Sequence, residues 1–442
     1  MRSEEEMYRL ILDTARKDSR VRAVYMNGSR ANPNAPRDML QDYDIVYVVN
    51  ETAGFIRDRH WVSCFGEIAY MQYPNEWPLE ESDPARHYAY LMQFTDGVRL
   101  DLTLQESHYA REAVLKDKLC RVLLDKDGIL PPVMPSTDRD YRVQKPSEAL
   151  FRACANEFWW CTNNLAKGLW RDELPYVQDM ANHVVRPQLA GMLGWKVGVL
   201  TDFSVSVGKS SKYMRFWLSD EEYARYLSTY FGSSANGAWQ AVWQMAALFE
   251  ETAVWVADKL GFSYDRAEGQ AAQKHLRFVQ NLPHPRVILL NGPSGSGKST
   301  LAKLLREQLP APCAVVSIDD FLQMSPDEPI YEDDVFEISD ALCRAVLDRL
   351  AAGINVIVDH VITSERIYQC FLSAMRGQKL TTVLVTCPLS VLKAREAARG
   401  NRAIGSAEAS FTCLYPREGY DLTINTAAMS QDACAESIVK RL

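Results

Sequence analysis

The stretch RVILLNGPSGSGKSTLAKLL, residues 286–305, restricts this chain more than any other. Its residues 292–299 satisfy G-x-x-x-x-G-K-[ST], between a short apolar run that suits a strand and a sequence that opens a helix. A loop of this kind needs glycine because its backbone N–H groups must turn inward around phosphate oxygens. Gly292, Gly295 and Gly297 supply that freedom, and the following helix adds the positive end of its dipole. Lys298 is placed to reach the β- and γ-phosphates of ATP and Ser299 to hold Mg²⁺, with Thr300 counted among the nucleotide-binding residues. The runs CAVVS (313–317), INVIVD (354–359) and TTVLVT (381–386) are equally short and continuously apolar. Helix-like segments separate them, so residues 283–442 read as a doubly wound parallel α/β domain.

Two features of that domain favour phosphoryl transfer over mechanical ATP hydrolysis. SIDDFLQM sets Asp319 and Asp320 just past a strand, at the edge where substrates bind, and kinases of small molecules need an acid there to accept a hydroxyl proton. LKAREAARGNR spaces Arg395, Arg399 and Arg402 by four and three residues, as a helical lid over a transferring phosphoryl group requires; an exposed basic helix has the same pattern. Asp359 is a second Mg²⁺-associated residue or an alternative acid, and His360 beside it is either catalytic or an internally satisfied polar residue.

With 442 residues the chain has room for two to four domains at roughly 100–200 residues each. Its 49 Lys and Arg against 57 Asp and Glu leave a charge of -8, the wrong sign for a protein that coats nucleic acid. No apolar run approaches the ~18 residues of a membrane span, and the acidic start MRSEEEMYRL is unlike a secretory signal. The ten cysteines are scattered, without a C-x-x-C pair or a zinc-like cluster, which places the chain in a reducing, cytoplasmic setting.

Before the P-loop the texture changes twice. Residues 1–135 hold a helix over 4–17 and β-rich runs at 22–26, 43–49, 88–94 and 98–104, and Pro131–Pro132 closes the segment. Residues 136–275 carry long windows with apolar residues every three or four positions and most of the ten tryptophans, the pattern of a helical bundle with an aromatic core. The polar stretch 265–278 and NLPHPR at 281–286 mark the next boundary.

The first segment contains NGSRANPNAPRDMLQDYDIVYVV. Residues two apart on a strand face the same side, so Asp42 and Asp44 form a carboxylate pair. Asp101 lies mid-strand among apolar neighbours in VRLDLTL, where a carboxylate is costly unless it is paired or binds a metal. Three such acids would hold one or two Mg²⁺ ions against nucleotide phosphates, with Gly28 and Ser29 offering backbone N–H groups and a hydroxyl. The D-x-D alone is weak, since one acid can cap a turn and the other face water; the ordered conjunction of GS turn, D-x-D and mid-strand acid is not.

These residues resemble the nucleotidyltransferase superfamily. More narrowly, GSRANPNAPRDMLQDYDI, DKLCRVLLDKDG, NEFWW, and WKVG with SVGKSSKY resemble the aminoglycoside 6-adenylyltransferases over residues 1 to about 270. The resemblance implies an α+β catalytic domain with a mixed sheet, followed by a helical substrate-binding domain. It implies transfer of AMP from ATP to a hydroxyl of streptomycin, with Asp42, Asp44 and Asp101 as metal ligands and Ser29 and Arg30 at the triphosphate. Lys209 and Lys212 would then neutralise the leaving pyrophosphate, or form a solvated basic loop. Glu157 and Asp179 are candidates for binding a cationic sugar or accepting its proton.

The C-terminal stretches ILLNGPSGSGKS, VSIDDFLQM, REAARGNR and YDLTINT resemble the chloramphenicol phosphotransferase-like P-loop kinases, which implies Asp319 as the base on a small alcohol. Residues 324–337, which would shape the acceptor pocket, follow no recognised pattern, so the acceptor stays open. A nucleotide-binding module without turnover is the competing reading of this domain. For the first domain the competitor is a protein or RNA acceptor, and RNA is disfavoured by the absence of a basic, aromatic-interleaved surface.

Overall fold

The computed structural model describes residues 1–79, 81–310, 312–322, 332–399 and 405–442. They form two compact units, Met1–Arg277 and Phe278–Leu442. Among the described residues no helix is long and apolar enough to cross a membrane.

The first unit opens with the helix Glu4–Lys17, started by a Ser3–Glu6 capping box and three glutamates in its first turn. Met7, Ile11 and Ala15, four residues apart, make its buried stripe. It lies on a six-stranded sheet made of β1 (Val21–Met26), β2 (Tyr43–Val49), β3 (Ile68–Gln72), β4 (Tyr88–Phe94), β5 (Arg99–Glu106) and β6 (Arg121–Asp125). The order is β3-β4-β5-β2-β1-β6, and only β2 and β5 pair in parallel, so the sheet is mixed as the family resemblance implies. The period of two along β2 splits its residues cleanly. Tyr43, Ile45, Tyr47 and Val49 join the large core under the first helix. Val46 and Val48 face the other way, into a smaller cluster with Ala110 and Val114 of the helix Ser107–Lys116. Asp44 shares that second face but lies beyond the cluster, which leaves a polar end on an otherwise apolar strand.

Residues 148–280 are mostly helical. The segments Glu148–Trp170, Leu174–Met180, Arg186–Leu200, Asp220–Leu227, Ala235–Leu260 and Arg266–Gln280 account for most of them, with a π-helical turn at Ala181–Val185. The polar stretch before residue 281 is therefore the last of these helices, with Leu276 and Val279 buried beneath its charged face. The aromatic density packs rather than lining a surface. Phe158 and Phe249 stack at 3.7 Å between ring centres, and Trp159 closes on both edge-on while its Nε1 donates to the Tyr264 hydroxyl at 3.0 Å. Trp160, one residue on, is exposed.

The second unit holds β7 (Arg286–Asn291), β8 (Cys313–Ser317), β9 (Asn355–His360), β10 (Lys379–Thr386) and β11 (Leu422–Asn425). All pairings are parallel, in the order β11-β10-β7-β9-β8. Separate apolar clusters cover its two faces, as a doubly wound sheet requires. The chain leaves β7 toward β8, returns to β9 and then crosses to β10. The carboxyl end of β7 thus sits at the reversal point, where such folds bind ligands.

Replacing Phe158 by alanine is expected to destabilise the first unit by about 3–5 kcal/mol, the cost of emptying an aromatic core site. All ten tryptophans precede residue 277, so denaturant unfolding followed by tryptophan fluorescence reads this unit alone.

Candidate functional site

Parallel pairing of β2 with β5 sets Asp44 directly opposite Asp101. Both side chains leave the same face, and Asp42, two residues earlier, joins them from the mouth of β2. The Gly28–Ala31 turn closes over this group. Gly28 has φ +72°, and a Cβ added there would lie 2.0 Å from Asp44 Oδ2, so no other residue fits without displacing the carboxylate. Asn27 ties the turn to β2 by donating its N–H to the Asp44 carbonyl at 3.0 Å, and its own Oδ1 is buried without a hydrogen-bond partner.

Electrostatics at this point are strained by like charge. Burial, and after it the neighbouring Asp101 and Asp42, push the Asp44 carboxyl up to about 6. Burial raises Asp42 as well, against the pull of Arg99. Arg99 grips Asp101 through two bonds of 2.8 Å, with Asp42 3.7 Å away, and Asp101 in turn raises the guanidinium's own proton affinity. The R-x-D spacing puts both on one face of β5, a period-two signal that reading the run only for its apolar residues passes over.

Among the described residues no three metal-ligating side chains enclose an ion as they stand. The donor set nonetheless suits Mg²⁺. All three groups offer hard carboxylate oxygens, a glycine leaves the space beside Asp44, and a guanidinium already stands in as the cation on Asp101 and near Asp42. Taking up an ion there would require Arg99 to leave Asp101.

The other residues expected at this site are distributed unevenly. Ser29 Oγ accepts from Gln41 Nε2 at 3.4 Å. Arg30 donates to the carbonyls of Gln41 and Asp42 at 2.9 and 3.1 Å and stacks on Tyr43 at 3.8 Å, so it braces the loop that delivers Asp42. Lys209 and Lys212 are exposed, around a turn in which Ser210 and Ser211 both have positive φ. Glu157 accepts from Cys161 at 3.5 Å, and Asp179 pairs with His183 at 2.9 Å; both acids are exposed on their own helices.

In the second unit the loop after β7 is tightly built. A Cβ on Gly292 would come within 1.9 Å of the Val385 carbonyl oxygen. Gly295 and Gly297 have φ of +80° and +97°, open to glycine at no steric cost. Lys298 is buried, and its Nζ donates to the carbonyls of Gly292 and Pro293 at 2.8 and 3.1 Å, with Asp359 4.0 Å away. Ser299 Oγ donates to Asp359 Oδ2 at 2.6 Å, which places the end of β9 against the hydroxyl expected to hold Mg²⁺. Thr300, Asp319 and Arg395 line the same cavity, of about 300 Å³. Arg395 is anchored to Thr426 Oγ1 at 2.9 Å and to the Gly295 carbonyl at 3.3 Å. Asp320 is exposed and does not line the cavity. His360 is buried, with Nδ1 lacking a hydrogen-bond partner, and burial pulls its imidazole down to about 4, so it is neutral. Arg399 ends the helix Leu389–Arg399, and Arg402 lies outside the described residues.

A mixed sheet whose parallel pair gathers carboxylates beneath a Gly-Ser turn is the architecture of a nucleotidyltransferase. The second unit is a P-loop α/β domain. The chain belongs to the streptomycin adenylyltransferase family, whose model matches residues 1–279. Residues 285–442 match the model described as chloramphenicol phosphotransferase-like protein. An aminoglycoside 6-adenylyltransferase of Campylobacter jejuni is 40% identical over 265 residues, 60% of this chain and 91% of the relative. One of Bacillus subtilis is 36% identical over 275 residues, 61% of this chain and 95% of the relative. A third, of Staphylococcus aureus, is 32% identical over 254 residues, 57% and 89% of the two chains.

The charge crowding around Asp44 has a measurable consequence. A carboxyl that keeps its proton up to about 6 favours the folded state below pH 3.8, and that contribution is lost as pH rises through about 6. In EDTA at pH 7, Asp44→Asn is therefore expected to be more stable than the parent by about 1–3 kcal/mol. The difference should vanish below pH 3.8, which calorimetric unfolding across that range checks.

Proposed function

We propose that the first unit transfers AMP from ATP to the 6-hydroxyl of an aminoglycoside, streptomycin foremost. The observation that carries this reading is the register match of Asp44 with Asp101, with Asp42 beside them and Gly28 against the Asp44 carboxylate. Residues 1–135 act as the catalytic domain and 136–275 as the helical substrate-binding domain.

Asp42, Asp44 and Asp101 would hold Mg²⁺, which when bound supplies positive charge to the reacting phosphate and the leaving pyrophosphate. The work of the protein's own groups follows from their positions. Arg99 offsets the repulsion among the three acids and would release Asp101 to an ion. Gly28 and Ser29 bring a turn of backbone close to the acids, and Arg30 holds Asp42 in place. The acceptor hydroxyl attacks the α-phosphorus in line, the bond to pyrophosphate breaks, and the hydroxyl proton passes to a carboxylate of the helical domain. Asp179, paired with His183, is our choice for that base, and Glu157 for a contact to the cationic sugar. Lys209 and Lys212 meet the departing pyrophosphate.

For residues 283–442 we propose a small-molecule kinase using ATP and Mg²⁺. Lys298 would leave the loop carbonyls for the β- and γ-phosphates, Ser299 with Asp359 would hold the ion, and Arg395 with Arg399 and Arg402 would cover the transferring group. Asp319, which lines the cavity, would take the acceptor proton. The acceptor is a small alcohol whose pocket involves residues 324–337, most of them outside the described residues. A second reading, nucleotide binding without turnover, draws on the hold that Gly292 and Pro293 keep on Lys298. Both readings suit a cytoplasmic protein, with all ten cysteines unpaired.

Incubation of streptomycin and a panel of hydroxylated antibiotics with ATP and the protein, followed by mass spectrometry, separates a gain of AMP from a gain of phosphate. Asp42→Ala and Asp101→Ala are each expected to lower adenylyl transfer at least about a hundredfold and to abolish growth of expressing cells in streptomycin. Variants that protect as well as the parent would remove the site assignment. Lys298→Ala is expected to remove phosphate transfer while AMP transfer persists; loss of both would show that the two sites are energetically coupled.

A further inference from the structure

The helix Arg186–Leu200 carries glycines at 191, 194 and 198, each costing roughly 1 kcal/mol against alanine in a helix interior. Gly198 has a packing reason, since a Cβ there would meet the Phe203 ring at 2.5 Å. Gly191 and Gly194 have none. Nothing lies within 4 Å of a Cβ added at either, and both line a cavity of about 530 Å³ in the helical part of the first unit. Their missing side chains leave one wall of that cavity as bare backbone.

Arg186 is among the residues that line the cavity, at 4% exposure. Its Nε donates to Thr229 Oγ1 at 3.2 Å and its Nη2 to the Thr229 carbonyl at 2.7 Å. Nη1 donates to Asn182, and the guanidinium lies 3.9 Å from the Tyr230 ring centre. All of these partners are uncharged. Among the described residues no carboxylate pairs with Arg186 and none lines the cavity. Arg142, the second cation in the lining, differs in having Asp138 at 3.3 Å. Arginine keeps its proton even where burial disfavours it, so Arg186 is a permanent and uncompensated charge. Such a charge is expensive unless a counter-ion arrives. A polycationic sugar would be repelled from this cavity, whereas phosphate oxygens match the guanidinium fork.

We infer that this cavity is a polyphosphate site, with Arg186 as its anchoring cation and Gly191 and Gly194 as the wall that leaves room for the anion. The polyphosphate is either the tail of the nucleotide consumed by the first unit, a choice that rests on the adenylyl-transfer reading, or free pyrophosphate. Arg186 is a binding residue here, not one that touches the reacting hydroxyl.

Calorimetric titration with tripolyphosphate tests this on the full chain carrying Lys298→Ala, which weakens phosphate binding at the P-loop. Gly191→Asp sets a carboxylate into the open space of the same cavity and is expected to weaken binding about tenfold or more, while Gly191→Ala changes it less than about threefold. Arg186→Gln should lose binding as Gly191→Asp does, and Arg186→Lys should recover part of it. Tripolyphosphate binding unchanged in Gly191→Asp, in a chain that still melts cooperatively, overturns the site. Displacement of tripolyphosphate by ATP would identify the nucleotide tail as occupant, and ATP binding without displacement would identify free pyrophosphate. Failure of the adenylyl-transfer reading looks different: no AMP gained by any aminoglycoside, with tripolyphosphate binding still dependent on Arg186.

Discussion

The parallel contact between β2 and β5 is the constraint from which the first unit's chemistry follows. In an otherwise antiparallel sheet it is the one pairing that lines up Asp44 with Asp101, and a slip by one residue would send Asp101 into the apolar core beneath the first helix. The register is secured by Ile45, Tyr47 and Val49 on one face and Val46 and Val48 on the other, all buried. Hydrophobic packing therefore holds together three carboxylates that repel one another, and the raised proton affinity of Asp44 is the mark of that conflict. A site held against its own electrostatics is prepared for a cation before one arrives.

Both units pair the polar groups of their candidate sites internally in the same way. Arg99 lends its charge to Asp101 and Asp42, and Lys298 lends its ammonium to the carbonyls of Gly292 and Pro293. In each case a residue of opposite polarity, already on the element that carries the site, satisfies groups that would otherwise stand unpaired. On the proposed functions, ligand binding would be an exchange of partners. The two exchanges run in opposite directions. In the first, a protein cation would give way to an ion; in the second, backbone oxygens would give way to phosphate oxygens.

Much of this was legible from residue order. Period two exposed Asp42 and Asp44, and the glycine pattern exposed the loop at 292–299. What escaped did so for identifiable reasons. β3 faces solvent along most of its length, so it has no apolar alternation to betray it, and β11 spans only Leu422–Asn425. The helix Arg266–Gln280 was hidden by the same polarity that made its sequence resemble a boundary. Arg99 does not stand out in the sequence, and only its partnership with Asp101 two positions on gives it a role. Arg186 is harder still. A basic residue at a helix start reads as solvated, and nothing in the local sequence says that Thr229 and Tyr230 will close over it.

The distribution of charge sharpens the functional reading. A nucleotidyltransferase that modifies a polycation must recognise one substrate of each sign without letting either take the other's place. An acid cluster attracts a cationic sugar as well as metal, so acidity alone cannot discriminate, and the chain as a whole carries a net charge of -8. Discrimination requires a region where the local sign is reversed and water is largely excluded, because screening would blur a reversal on open surface. The Arg186 cavity, lined by no carboxylate among the described residues and with the guanidinium itself buried, reverses the local sign within the same unit as Asp42, Asp44 and Asp101. Gly191 and Gly194 leave open space in its lining, at a local cost in helix stability.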